Sequence, residues 1–191
     1  MLRVTEVVKN LIIINVIVFV AVAFMIPIPD FEQYFLLYPL SSPNFVPVQV
    51  VTHMFMHAGF SHLLFNMLGL FFLGPLVESS LGPKRFLILY LACGFVASIA
   101  QLSISSIPIL GASGAVYGVL AAFATMFPNM ELMLLFPPIP IKAKYLGIGL
   151  IAIGIFSGIT GAQAGIAHFA HVGGAILGFL MIRYWKMENL R

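Results

Sequence analysis

The chain has 191 residues, 61% of them hydrophobic and only 8% charged, with a mean hydropathy of +1.09. So few charges cannot cover the surface of a water-soluble domain, and the composition points to a chain dissolved in lipid. Nine basic against six acidic residues give a net charge of +3, too small an excess for a nucleic-acid groove, and the lone Cys93 excludes an internal disulfide framework.

Six apolar segments follow one another. The first, LIIINVIVFVAVAFMI at 11–26, ends at Pro27 and Pro29. It reads as a span rather than a cleaved leader, because no small-x-small site follows it. A long loop, 27–58, leads to the second segment at about 59–78, which Gly82 and Pro83 close. The third covers about 84–101 and the fourth about 112–127, separated by Pro108 and Gly111. Pro128, Pro137, Pro138 and Pro140 fill the loop before the fifth, at about 145–160, and the sixth covers about 165–185. Several segments are short for a bilayer core of about 30 Å at 1.5 Å per residue, so neighbours must shelter them. No repeat and no soluble domain is evident, so 1–191 reads as a single membrane domain.

The basic residues test this count. With the N-terminus inside, Arg3 and Lys9, Lys84 and Arg85, Lys142 and Lys144, and Arg183, Lys186 and Arg191 all fall on one side. The opposite side, with the 27–58 loop, has none. Positive-inside bias predicts this pattern, and one span more or fewer would scatter it. The expected class is an all-α, multi-pass integral membrane protein with six transmembrane helices and both termini cytoplasmic, in a membrane of the bacterial inner type.

Polar side chains inside such segments are functional candidates: Asn15, His62, Asn66, Gln101, Ser113, Tyr117, Ser157, Gln163, His168 and His171. Asn15 and Ser157 are read as helix-packing contacts. His62 and Asn66, Ser113, and His171 enter from the same side on three different segments and lie within about 10 Å of one depth. A shared depth suits a water-filled cavity better than scattered packing. Serine needs a base, and a neutral histidine can serve. None of Glu6, Asp30, Glu32, Glu78, Glu131 and Glu188 sits beside Ser113 or His171, so only a dyad can form. Tyr117, at i+4 from Ser113, can place its ring under a histidine of the sixth segment. His62 and Asn66, also i and i+4, and the backbone N–H of Ser113 supply three oxyanion donors. Gly111 and Gly114 admit close backbone approach, and Gly114/Gly118 and Gly174/Gly178 form GxxxG pairs. Of the two histidines on the sixth segment, His171 lies deeper and on the glycine face; His168 is expected as a wetted side chain at the cavity rim.

Each piece alone has a plainer reading. GxSG in a membrane helix is more often packing than catalysis, and HxxxN can simply bridge helices. His53 and His57 lack the glutamate of HExxH, so no metal site and no cofactor is expected. The combination carries the argument.

With these residues together, the chain resembles the rhomboid family of intramembrane serine proteases. The matching stretches are THMFMHAGFSHLLFNMLGLFFLGPLVESSLG at 52–82, GASGAVYG at 111–118 and AHVGGAILG at 170–178. The resemblance implies a six-helix rhomboid-like bundle in its minimal form, Ser113 as nucleophile, His171 as general base, and His62 and Asn66 in the oxyanion hole. It implies that Tyr117 supports the imidazole and that Gln101 and His53 help retain water. His57 then has a structural use, and Glu78 braces the bundle. The implied partners are the lipid bilayer and single-pass transmembrane substrates, cut near small and helix-breaking residues, with no nucleic acid and no metal. One departure is the absent Trp of the first loop, where Val48 and Gln49 stand. The competing readings are a catalytically inert rhomboid-like protein that binds membrane clients, disfavoured because Ser113 and His171 are both kept, and a small transporter, disfavoured because paired intramembrane charges are missing.

Overall fold

A proline starts a helix well, because the amide hydrogen it lacks would be unpaired there anyway. Pro83 does this at the first position of one helix, and Gly82, at φ +80, makes the corner from the preceding one. In a computed structural model, which describes residues 4–25, 32–134, 137–161 and 167–188, the chain is mostly helical. Helix α1 (Glu6–Val20) runs on through a π turn at Ala21–Met25. The single turn α2 (Gln49–Thr52) continues into a 3₁₀ turn, His53–Phe55. The longer helices α3 (Phe60–Leu81), α4 (Pro83–Leu102), α5 (Ser113–Met126), α6 (Ala143–Thr160) and α7 (His168–Glu188) follow.

Four of these are long and apolar enough to cross a membrane: residues 6–23, α3, α4 and α6. Helix α5 is apolar but has only 14 residues. At 1.5 Å per residue it is about 21 Å long, well short of the hydrocarbon core. It is built of small residues and lies at the centre, with Val119, Ala122 and Phe123 fully buried and α3, α4, α6 and α7 packed around it. Lipid-facing surface is carried elsewhere, for example by Ile17, Phe65, Phe156 and Ile159, all exposed. A helix whose neighbours satisfy it on every side need not span the bilayer.

The expectation of a purely six-helix molecule is met in its coarser form only. There are seven helices among the described residues, and an antiparallel hairpin pairs β1 (Glu131–Met133) with β2 (Pro140–Lys142). The hairpin forms in the proline-rich loop, where three-residue strands are too short to show a period. Pro140 is tolerated because a two-stranded ribbon is all edge. Helix α1 begins five residues before the predicted segment, because Glu78 supplies acceptors to its start. Pro75 lies inside α3, as neighbouring helices permit in membranes. Asn15 is fully buried, but its amide donates to the Leu11 carbonyl of its own helix rather than across an interface. Ser157 is buried as expected of a packing residue. Gln163, the start of the sixth predicted segment and the Pro27/Pro29 stop lie outside the described residues.

The Glu78 carboxylate is nearly buried and accepts from the backbone N–H groups of Val7 (3.1 Å) and Val8 (2.9 Å) and from the Thr5 hydroxyl. It thus satisfies the otherwise unpaired donors at the start of α1, where a negative charge also meets the positive end of the helix dipole. Glu78→Ala is expected to destabilise the protein by about 2–4 kcal/mol, since several charge-assisted bonds are lost and donors stay buried. Glu78→Gln should recover part of that. Thermal unfolding in detergent measures both, and an unchanged midpoint for the alanine variant would mean that the bracing is idle.

Candidate active site

The site is assembled on the turn GASG at 111–114, just before α5. Two hydrogen bonds pair Leu37 with Ile109, so the 32–58 segment forms an isolated bridge with the strand-like approach to this turn. The Gly111 N–H then donates to the His53 carbonyl at 2.8 Å. His53 is buried, and its Nδ1–H donates to the Gln49 carbonyl, also 2.8 Å away. Gln49 is wholly buried: its amide donates to the Gln33 and Asn44 carbonyls, and its oxygen accepts from the Tyr38 N–H. One side chain therefore ties three parts of the loop together. In the sequence Gln49 is marked only as a departure in the first loop, an amide in the apolar run VPVQVV.

Ser113 opens α5, and its Oγ lies 2.8 Å from Nε2 of His171 on α7. The rings of Tyr117 and His171 stack, with centroids 4.2 Å apart and planes 5° from parallel. Beside these side chains the two helices meet backbone to backbone at their glycines. A Cβ on Gly174 would strike the Gly114 carbonyl, and one on Gly178 the Gly118 carbonyl; on Gly118 it would overlap the buried Cys93. This backbone contact sets the serine-to-imidazole distance. His171 stands one turn before Gly174, on the face that meets α5.

His62 and Asn66 project from the first turns of α3. The Asn66 amide donates to the His62 carbonyl at 2.8 Å, which leaves its second N–H available. The Ala58 N–H points at His62 Nδ1 from 3.4 Å, a long contact that favours the proton on Nε2. A Cβ placed on Gly111, whose φ is +116, would lie 2.8 Å from His62 Nε2 and 3.9 Å from Ser113 Oγ. The glycine therefore keeps open the space that His62 and Ser113 share. Val116 N–H is bonded to the Ala112 carbonyl, so the donors of Ser113 and Gly114 stand free of helix partners at the start of α5.

Behind Ser113, a cavity of about 20 Å³ is lined by His53, Gly94, Gly111, Ser113 and Gly114, among others. Its volume suits about one water molecule. Gln101 is not in its lining; its Oε1 is buried without a hydrogen-bond partner. His57 packs edge-on to His62 with ring centroids 5.0 Å apart, and neither of its ring nitrogens has a partner of hydrogen-bonding geometry. Burial, and then repulsion from His62, push its pKa down to about 4; the Phe55 backbone opposes this in part. Burial also lowers the pKa of His53. Both imidazoles are neutral at pH 7.

His168 corrects an expectation. It is only 8% exposed rather than wetted at a rim, and its ring meets His171 edge-on at 6.4 Å. Helix α6 packs along this stretch, with Gly154 close to the His168 carbonyl, which spacing within α7 could not reveal. Among the described residues no cluster of three His, Cys, Asp or Glu side chains could hold a metal ion. Glu78, the buried carboxylate, is engaged by α1 at the far end of α3 from His62. Chemically, the arrangement offers a hydroxyl on an imidazole nitrogen, a stacked ring to hold that imidazole, and several N–H donors converging on the same small space.

A family model described as the Rhomboid domain matches residues 45–187. Rhomboid protease GluP of Bacillus subtilis is 36% identical over 132 residues, covering 69% of this chain and 24% of that protein. Rhomboid protein 1, mitochondrial, of Saccharomyces cerevisiae is 30% identical over 182 residues, which is 90% of this chain and 52% of the relative. The presenilin-associated rhomboid-like protein A, mitochondrial, of Danio rerio is 32% identical, over 80% of this chain and 40% of its own length. The chain thus spans between a quarter and a half of the length of these relatives.

Proposed function

The chain belongs to the rhomboid family, and from that membership we propose that it is an intramembrane serine protease, cleaving peptide bonds in or near the transmembrane segments of membrane-protein substrates. The observation that carries the reading is the 2.8 Å contact between Ser113 Oγ and His171 Nε2, with Tyr117 stacked on the imidazole.

In this reading His171 holds its proton on Nδ1 and accepts the Ser113 hydroxyl proton at Nε2 as Oγ attacks the scissile carbonyl carbon. The carbonyl electron pair moves to oxygen. The resulting oxyanion is met by the Ser113 N–H, His62 Nε2–H and the free Asn66 N–H. Collapse breaks the C–N bond, and the departing amine takes the proton from His171. A water molecule, activated by the same nitrogen, then hydrolyses the acyl-serine and restores the hydroxyl. Tyr117 does for the imidazole what a carboxylate does in a triad only in respect of orientation: it fixes the ring plane. The cavity bordered by His53 is suited to hold the water that the second half-reaction consumes. Substrates of single-pass type must unwind locally, because a helical peptide bond is shielded.

A fluorophosphonate probe tests this directly. Incubated with the purified protein, it should form one covalent adduct, mapped by mass spectrometry to Ser113. An adduct elsewhere, or none, would remove the dyad as an active nucleophile.

The same reading takes the chain as a single domain of six spans in a bacterial-type inner membrane, with the basic ends of the helices cytoplasmic and the 27–58 loop outside. Reporters fused after α7 should therefore read as cytoplasmic in living cells. An external signal would contradict the six-span topology.

A further inference from the structure

His57 is a buried histidine for which the proposed reaction has no use. It follows the 3₁₀ turn His53–Phe55, and neither of its ring nitrogens finds a hydrogen-bond partner among the described residues. Unpaired polar atoms at such depth are a cost to stability, so the side chain contributes here through its ring. That ring meets His62 edge to face, with centroids 5.0 Å apart and planes at 72°.

His62 needs such a neighbour. It stands in the first turn of α3, half-buried, and its imidazole can swing about χ1 and χ2. To serve an oxyanion, its Nε2–H must stay aimed at the space beside Ser113. Three contacts confine the ring. The Ala58 N–H points at Nδ1 from 3.4 Å, too long to hold a ring by itself. The Gly111 backbone lies along the Cε1–Nε2 edge, where a Cβ would come within 2.7 Å of Cε1 and 2.8 Å of Nε2. It bears on that edge alone. His57 supplies the third contact, ring against ring. One short loop thus sets two walls of the space: the His53 carbonyl accepts from the Gly111 N–H at 2.8 Å, and further along the same loop His57 bears on His62.

We infer that His57 is a positioning residue for the oxyanion hole: its ring, packed edge to face, keeps the His62 Nε2–H aimed at the substrate oxygen. The inference rests on the protease reading and adds to it a residue that touches no reacting atom.

The rate at which a fluorophosphonate modifies Ser113 tests this, because the phosphonyl oxygen must enter the same set of donors as the serine attacks. The maximal rate and the half-saturating concentration are measured for the native protein, His57→Leu, His57→Phe, His62→Ala, and His57→Leu combined with His62→Ala. His62→Ala should be slower by about 10²-fold, the loss of one donor. His57→Leu should lower the maximal rate by about tenfold at unchanged half-saturation, since a misaimed donor is less than a missing one. His57→Phe keeps a flat ring and should stay within about threefold of native. In the His62→Ala background the leucine change should cost nothing further, because no donor is left to aim. His57→Met fills the same place with a flexible chain and takes the part of His57→Leu if that variant does not fold. Equal losses from the His57 change with and without His62 would overturn the inference and leave His57 a packing residue. A native rate in His57→Leu or its methionine substitute, or in His62→Ala, would overturn it as well. If Ser113 of the native protein is not modified at all, the protease reading itself falls, and the inference with it.

Discussion

Alanine at Ser113 or at His171 is expected to abolish cleavage of a single-pass substrate in proteoliposomes, and alanine at His168 to leave most of it. Removing a nucleophile or its base from a site of this kind costs on the order of 10⁴-fold or more, and the two losses do not add, because the pair acts as one unit. The Ser113 variant loses one hydroxyl and should unfold at nearly the native temperature. His168 is different. It is buried, yet it reaches the serine only through the edge of the His171 ring, 6.4 Å away. Its removal opens a gap beside the base without removing a proton acceptor, so a loss of no more than about twofold is expected. Native-like turnover by the His171 variant, or a dead His168 variant with an active His171 one, would reverse the assignment.

The second large effect concerns a residue that never touches substrate. Gly174→Ala should reduce turnover by about 10²-fold or more, because its new methyl must displace the Gly114 carbonyl and with it the start of α5. Overpacking of this sort costs about 1–3 kcal/mol in stability as well. Gly178→Ala makes the same collision one turn further along, against the Gly118 carbonyl. It should cost similar stability but less activity, since the dyad is further from the wedge. Gly149, on α6, has open space where a Cβ would go, and Gly149→Ala is the control that should change neither. The comparison of kcat with thermal midpoint across the three variants makes the check. Equal activity losses at 174 and 178 would mean that the effect is general destabilisation rather than displacement of Ser113.

Much of this site is legible in the sequence, because membrane depth acts as a ruler. Segment boundaries and basic residues fix which ends share a side. Depth then groups Ser113, His171, His62 and Asn66 without knowledge of the packing. The glycine spacing at 114/118 and 174/178 further indicates which helices touch. Loops obey no such ruler. That Gln49 gathers three strands of loop, or that His53 offers its carbonyl to Gly111, depends on where irregular backbone happens to pass. The hairpin after α5 is hidden because its three-residue strands are too short to show a period, and the burial of His168 because it is decided by packing between helices.

The division of the dyad between two helices has a consequence for biogenesis. Ser113 emerges from the ribosome 58 residues ahead of His171. At ordinary synthesis rates that interval is roughly 3–12 s. Throughout it the hydroxyl has no base, and the groove between α4 and α5 that α7 occupies stands vacant. On the proposed reading α7 is therefore the ignition key of the site: nascent chains passing through the same insertion machinery meet an inert serine until α7 has packed, and chain order itself couples activity to that step.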